Sequence, residues 1–241
     1  MEIPHKLTPT TIVNAKSDCI DHLIPGLLFE NLQFLLMSDT AKNHWENIYS
    51  TKSEGEVSWF QQYPKTSMEF VALFDLPLSA NIIDIGGGDS HFVEALLDKG
   101  FRNIWVLDIS EAAIDRTKKR LGYKSSMINF IVSDVTAFKP LVQFDFWHDR
   151  AAFHFLTTEE NICKYVSIAE SAIKHEGYLI LGTFSEKGPK KCSGLEIQQY
   201  SEASMSARFE IAFDRIKCKQ EDHITPFNTI QNFLFCSFRK K

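Results

Sequence analysis

Apolar positions along this chain switch between two periods. Short, nearly continuous apolar runs recur at 81–85 (Asn-Ile-Ile-Asp-Ile), 103–108 (Asn-Ile-Trp-Val-Leu-Asp), 128–132 (Ile-Asn-Phe-Ile-Val), 144–149 (Phe-Asp-Phe-Trp-His-Asp) and 177–184 (Gly-Tyr-Leu-Ile-Leu-Gly-Thr-Phe). Runs of that length predict strands buried on both faces. Between them, about 89–99, 110–121 and 158–175 carry helical spacing. Strands alternating with helices predict βαβ units with right-handed crossovers and a parallel sheet. After residue 200 the order changes to a helix near 201–208, a strand at about 210–218, a polar turn around 222–228 and a last strand at about 230–238. Two strands joined by a short connection form an antiparallel hairpin.

The first strand runs straight into Gly86-Gly87-Gly88 and then a helix. Three glycines allow a tight turn and close approach of backbone to a ligand. Asp84, at the end of a buried strand, is costly unless something binds it. A dinucleotide fingerprint counted from Gly86 finds Gly88 in the second slot and His91 in the third, where a glycine is needed for close helix–strand packing. The spacing therefore disfavours NAD and FAD. Polar groups also end the later strands. Asp108 either takes ribose hydroxyls or caps the helix that begins near Ser110. Ser133-Asp134-Val135 serves a ligand or only a turn. Asp149 and Arg150 either face a substrate or form an ion pair.

The pattern acidic-x-Gly-x-Gly, met as Asp84, Gly86 and Gly88, resembles the first motif of the class I, seven-strand methyltransferases that use S-adenosylmethionine (SAM). Ser90 stands where that family often has a further glycine. The resemblance covers about residues 81–184. It implies an α/β, Rossmann-like three-layer sandwich with sheet order 3-2-1-4-5-7-6 and the last strand antiparallel. It implies SAM as cofactor and S-adenosylhomocysteine as product. The cofactor-binding residues would be Asp84, Gly86, Gly87, Gly88, Asp108, Ile109, Ser133, Asp134, Val135 and Asp149, with an acidic residue on the adenine amine. His44 to Tyr49 and Glu56 to Phe60 are similar to N-terminal lid segments of such enzymes. Trp59 and Phe60 are read as lid, closing over the cationic sulfonium, or as ordinary packing; Trp45 is read as core. The domain would span 37–241, with 37–80 as lid and 81–241 as core. Residues 1–36 would be an appendage, for which Met37-Ser38-Asp39-Thr40 looks like a protein start.

For the chemistry, Asp149 and His154 are the candidate catalytic residues: Asp149 to orient substrate or accept a proton, His154 as a base, and Arg150 to neutralise a carboxylate. Each also reads as packing or ion pairing. The loop 185–195 with Cys192, and the turn with His223, Thr225 and Pro226, are expected to border the acceptor pocket.

Composition narrows the partners. At 241 residues, 44% hydrophobic and 24% charged, the chain fits one or at most two globular domains. A net charge of −5 and a pI near 5.9 disfavour a broad nucleic-acid surface. Lys187, Lys190 and Lys191 read as a solvated loop. The stretch 23–36 is too short and interrupted to span a bilayer. Five cysteines, odd in number and with no pairing in their spacing, suit a reducing cytoplasm, and no metal-ligand spacing occurs. The expected activity is methyl transfer to a small molecule. The alternatives are a protein lysine side chain, a non-catalytic SAM-fold binding module, or an NAD-linked oxidoreductase.

Overall fold

The computed structural model describes residues 40–241; the expectation for 1–36 lies outside them. A helix over 40–51 (α1) is followed by a 3-10 turn at Glu54–Glu56 and by α2 (Lys65–Leu73). Then β1 (Ile82–Ile85), α3 (Phe92–Lys99), β2 (Ile104–Asp108), α4 (Glu111–Leu121), β3 (Ile128–Val132), β4 (Phe144–Arg150), α5 (Glu159–Ala172) and β5 (Ile173–Phe184) follow in turn. A small hairpin, β6 (Lys191–Cys192) and β7 (Leu195–Glu196), precedes α6 (Glu202–Phe209), β8 (Phe213–Ile224) and β9 (Ile230–Lys240).

One sheet takes seven strands in the order β3-β2-β1-β4-β5-β9-β8. Counted within that sheet, β8 and β9 are the sixth and seventh strands, so the order is the expected 3-2-1-4-5-7-6. β1 pairs in parallel with β2 and β4, whereas β9 runs antiparallel to β5 and β8. Side chains alternate across the sheet with period 2. Ile82, Phe146 and Ile180 meet Phe70 of α2 and Phe92 of α3 on one face. Ile83, Trp147 and Leu181 meet Tyr165 of α5 and Phe209 of α6 on the other. Truncating any of these large side chains to alanine is worth about 3–5 kcal/mol in a close-packed core.

Local signals set the helix ends. Ser110 Oγ accepts from Ala113 N at the start of α4, with Glu111 in the first turn and Lys118, Lys119 and Arg120 in the last. Three expectations shift. α5 stops at Ala172 because Ile173 already pairs with Phe144, and a register shift and a positive φ at Glu176 follow. β8 continues through the charged stretch to Ile224; as an edge strand it pairs only with β9, so polar side chains stay exposed. The cysteine reading is corrected: Cys218 and Cys236 form a disulfide, because the β8–β9 register sets them opposite each other across 18 residues of sequence. Cys163 is disulfide-bonded as well, while Cys192 is a free, buried thiol.

Candidate active site

The glycine turn is built from contacts that only glycine permits. A Cβ at Gly87 would lie 2.1 Å from Asp84 Oδ2, and one at Gly88 would lie 2.6 Å from Ala113 Cβ. Gly86 adopts φ +65°, and its Cβ would meet Ala152 Cβ at 2.8 Å. The turn is tied to β2 by Gly86 N donating to Leu107 O at 2.8 Å.

Both strand-end carboxylates are buried. Asp108 Oδ2 accepts from Gly88 N and Oδ1 from Ser110 N, each at 2.9 Å. Burial raises its pKa to about 6, with those two backbone bonds opposing the shift. Asp108 therefore braces the turn and the start of α4, and it also lines the large cavity, where its remaining lone pairs can accept hydroxyls. Helix capping falls to Ser110. Asp84 sits opposite His148 in the β1–β4 register: its Oδ1 is 2.7 Å from His148 Nδ1, and His148 Nε2 is 2.8 Å from Ser67 Oγ. Asp84 Oδ2 is buried without a partner and borders a second, small cavity beside Gly86 and Gly87. The sequence marks Asp84, and His148 only as part of the run at 144–149; that His148 bonds Asp84 and Ser67 depends on the β1–β4 register and packing.

A cavity of about 480 Å³ opens at the C-terminal ends of β1, β2, β3 and β4. Gly86, Asp108, Ile109, Ser133, Asp134 and Val135 line it together with Trp45, Tyr49, Trp59, Phe155, Arg150 and Cys192. Asp134 Oδ1 accepts from Thr136 N at 2.8 Å, so its turn role and a place in the cavity coexist. The rings form a box: Trp45 meets Phe155 at 4.9 Å and Trp59 at 5.7 Å, both edge-on, and Tyr49 meets Trp59 at 6.2 Å. Trp45 thus faces the cavity rather than the core, contrary to expectation. It is carried on α1, an element whose aromatic face docks over the strand ends. Phe60 instead packs edge-on to His91 at 5.6 Å.

The lid is pinned from two sides. Glu46 caps α4 from outside, accepting from Glu111 N at 2.6 Å, Ala112 N at 3.0 Å and Ser110 Oγ at 3.1 Å. Arg120 joins Glu54 of the lid to Asp89 beside the glycine turn, at 2.9 and 2.8 Å. On the other side, Arg150 Nη1 donates to Trp59 O at 2.9 Å, His223 Nε2 lies 2.7 Å from Ser58 O, and Gln231 Nε2 donates to Ser58 Oγ at 3.1 Å.

Three expected site residues, Gly88, Asp149 and His154, line neither cavity. Asp149 is fully buried: Oδ1 accepts from Ala152 N at 3.0 Å and Phe153 N at 3.1 Å, and Oδ2 from Tyr165 OH at 2.7 Å. Burial raises its pKa to about 6. Its carboxylate shapes the turn after β4, so neither cofactor contact nor proton transfer is open to it in this geometry. His154 packs between Phe155 and Phe184, its Nδ1 accepts from Phe184 N at 3.2 Å, and burial, with Arg150 nearby, depresses its pKa to about 3. Gly88 acts through its N–H on Asp108. Cys192 does line the cavity, yet burial pushes its thiol up to about 12, which keeps it protonated. Lys191 pairs with Glu196 at 2.7 Å on the small exposed hairpin, as a solvated loop would. Among the described residues no cluster of metal-ligating side chains occurs.

A methyltransferase-domain family matches residues 82–177. Over that segment the chain is similar to methyltransferase domains. Malonyl-[acyl-carrier protein] O-methyltransferase 2 of Ilyobacter polytropus is 31% identical over 107 residues, 44% of this chain and 40% of that protein. The mouse (Mus musculus) eEF1A lysine and N-terminal methyltransferase is 26% identical over 121 residues, half of this chain and 17% of that one. The chain therefore matches less than half the length of either relative. In fold it is similar to the 1,6-didemethyltoxoflavin-N1-methyltransferase of Burkholderia thailandensis, solved with S-adenosylhomocysteine: TM-score 0.62, 15% identity, covering 91% of this chain and 93% of that one.

Proposed function

We propose that this protein transfers a methyl group from SAM to a small-molecule acceptor, with residues 37–80 as lid and 81–241 as core. The observation that carries the reading is the junction in one cavity of Gly86, Asp108 and Asp134 with the aromatic box of Trp45, Tyr49, Trp59 and Phe155. The chain's own features fit the cofactor: a cradle that any Cβ would fill, an unpartnered buried carboxylate oxygen on Asp84 suited to an ammonium group, and a buried Asp108 beside the cavity. Asp84 and Gly86 to Gly87 would hold the methionine end, Asp108 the ribose, and Ile109, Ser133, Asp134 and Val135 the adenine. When bound, SAM supplies an electrophilic methyl on a sulfonium leaving group.

The protein's own work is then alignment and exclusion of water. The negative faces of the Trp45, Tyr49 and Trp59 rings are suited to a cation. The Glu46, Arg120, Arg150 and His223 contacts hold them closed. Tyr49 is buried near Asp108 and Asp89, which raises its pKa well above the usual value and keeps its hydroxyl protonated. The acceptor side of the cavity presents Arg150 and Cys192, the one cationic and the other a protonated thiol, so the reading assigns no general base and has the acceptor arrive with its nucleophile ready.

Incubation with tritiated SAM and fractionated cell extract tests this. Label in the metabolite pool supports it; label in protein alone would favour the lysine-directed activity that the eEF1A relative's name carries. No described helix is long and apolar enough to cross a membrane. Our reading includes a cytoplasmic site of action, where cellular thiols would hold the Cys218–Cys236 bond open. Alkylation of freshly lysed cells before a non-reducing gel checks that: alkylated cysteines agree, a persistent disulfide refutes it.

A further inference from the structure

Arg150, the last residue of β4, is a half-buried cation with no counter-ion among the described residues. Its Nη1 donates to Trp59 O at 2.9 Å, while Nε and Nη2 are buried and have no partner among the described residues. Its guanidinium lies 4.8 Å from the centroid of Phe233, and it borders both cavities. The charges that act on it, Glu221 and Asp84, form no ion pair with it: Glu221 Oε1 accepts from Gln61 Nε2 at 3.3 Å, and Asp84 Oδ1 is engaged by His148. Burial lowers its pKa to about 10, which leaves it protonated at neutral pH. A desolvated guanidinium with free N–H groups is unfavourable unless an anion completes it, and its planar fork fits a carboxylate. The cavity also presents apolar and aromatic surface at Trp45, Trp59, Phe155 and Ala151, beside the polar Thr157, Thr158, Glu160 and Asn161.

We propose that this cation and these rings form an acceptor subsite for a small organic anion with a flat or apolar body and a carboxylate head, held by Arg150. The proposal rests on the methyl-transfer reading and names the chemical class of its acceptor. SAM carries a carboxylate of its own, so the test is done with the cofactor place already filled.

Benzoate and benzamide share shape and differ in charge. Calorimetric titration of the full chain saturated with S-adenosylhomocysteine is expected to show benzoate binding at least tenfold more tightly than benzamide. Arg150→Gln should lose at least tenfold more in benzoate affinity than in affinity for S-adenosylhomocysteine, the latter loss reflecting only the bond to Trp59 O, and Arg150→Lys should fall between. Equal binding of the two probes, or of benzoate to wild type and Arg150→Gln, overturns the proposal; so does a tenfold loss of S-adenosylhomocysteine affinity in Arg150→Gln with benzoate unaffected, which would assign the guanidinium to the cofactor's methionine carboxylate. The wild-type comparison of the two probes decides alone if the variants do not fold. Failure of wild type to bind S-adenosylhomocysteine at all would instead refute the methyl-transfer reading.

Discussion

Replacing Gly87 with alanine isolates one steric contact. Gly87 does not occupy the left-handed region, so alanine meets no backbone penalty there. The added Cβ, however, falls 2.1 Å from Asp84 Oδ2 and 2.4 Å from its Cγ. Asp84 cannot swing aside freely, because His148 holds its Oδ1 at 2.7 Å, Ser67 holds the far side of that imidazole at 2.8 Å, and the ring stacks on Phe92 at 4.1 Å. Relief requires either breaking the buried Asp84–His148 bond, worth roughly 1.5–3 kcal/mol for a charged partner, or displacing the turn, at about 1–3 kcal/mol for overpacking. Gly87→Ala should therefore lower the unfolding free energy in urea by about 1–3 kcal/mol. Affinity for S-adenosylhomocysteine should fall about a hundredfold as the cradle shifts, since each 1.4 kcal/mol is tenfold. The cause is exposed by the background Asp84→Ala, in which the clashing atoms are gone and Gly87→Ala should add less than about 1 kcal/mol, a coupling readable in a double-mutant cycle. If Gly87→Ala costs as much in that background as in wild type, the clash is not what the glycine avoids.

Other outcomes follow from the same geometry. Asp108 must be ionised to accept ribose hydroxyls, and its pKa is raised to about 6, so affinity for S-adenosylhomocysteine should be flat above pH 7 and weaken below about 6; Asp108→Asn should bind weakly with no such pH dependence in calorimetry. The buried Asp149, also at about 6, binds its proton more tightly folded than unfolded. Its contribution to stability is therefore full below the unfolded value near 3.8 and is lost as pH rises through 6; comparing urea midpoints across pH 4–7 should show a steeper fall in wild type than in Asp149→Asn, where Asp108 still contributes its own share. Trp59→Ala should weaken SAM more than S-adenosylhomocysteine, by about 0.5–2 kcal/mol, because only SAM carries the cation. His154→Asn should lower stability by about 1–3 kcal/mol and leave the tritium transfer rate of the folded enzyme unchanged.

The fold was legible because its strands announce themselves twice, by continuous apolar runs and by polar residues at their C-terminal ends. Asp84, Asp108 and Asp134 could be picked out in this way, and the structure brings all three to the two cavities. Asp149 shows the limit of that argument: it too ends a strand, but Ala151 turns at φ +69° directly after β4 and the carboxylate folds back onto Ala152 N and Phe153 N. Nothing in residue order distinguishes that from an outward carboxylate. The Asp84–His148–Ser67 chain, the Cys218–Cys236 bond and the lid contacts of Arg150, His223 and Gln231 all depend on which residues register places opposite each other, 18 to 173 positions apart in sequence. Periodicity predicts the elements; it carries no record of these pairings.

Calorimetric titration of the purified chain with SAM, S-adenosylhomocysteine and NAD, each alone, tests the central claim most directly. The expected result is one site per chain for SAM and for S-adenosylhomocysteine, both weakened about a hundredfold in Gly87→Ala, and no binding of NAD. Tight NAD binding with no response to either adenosyl compound would contradict it.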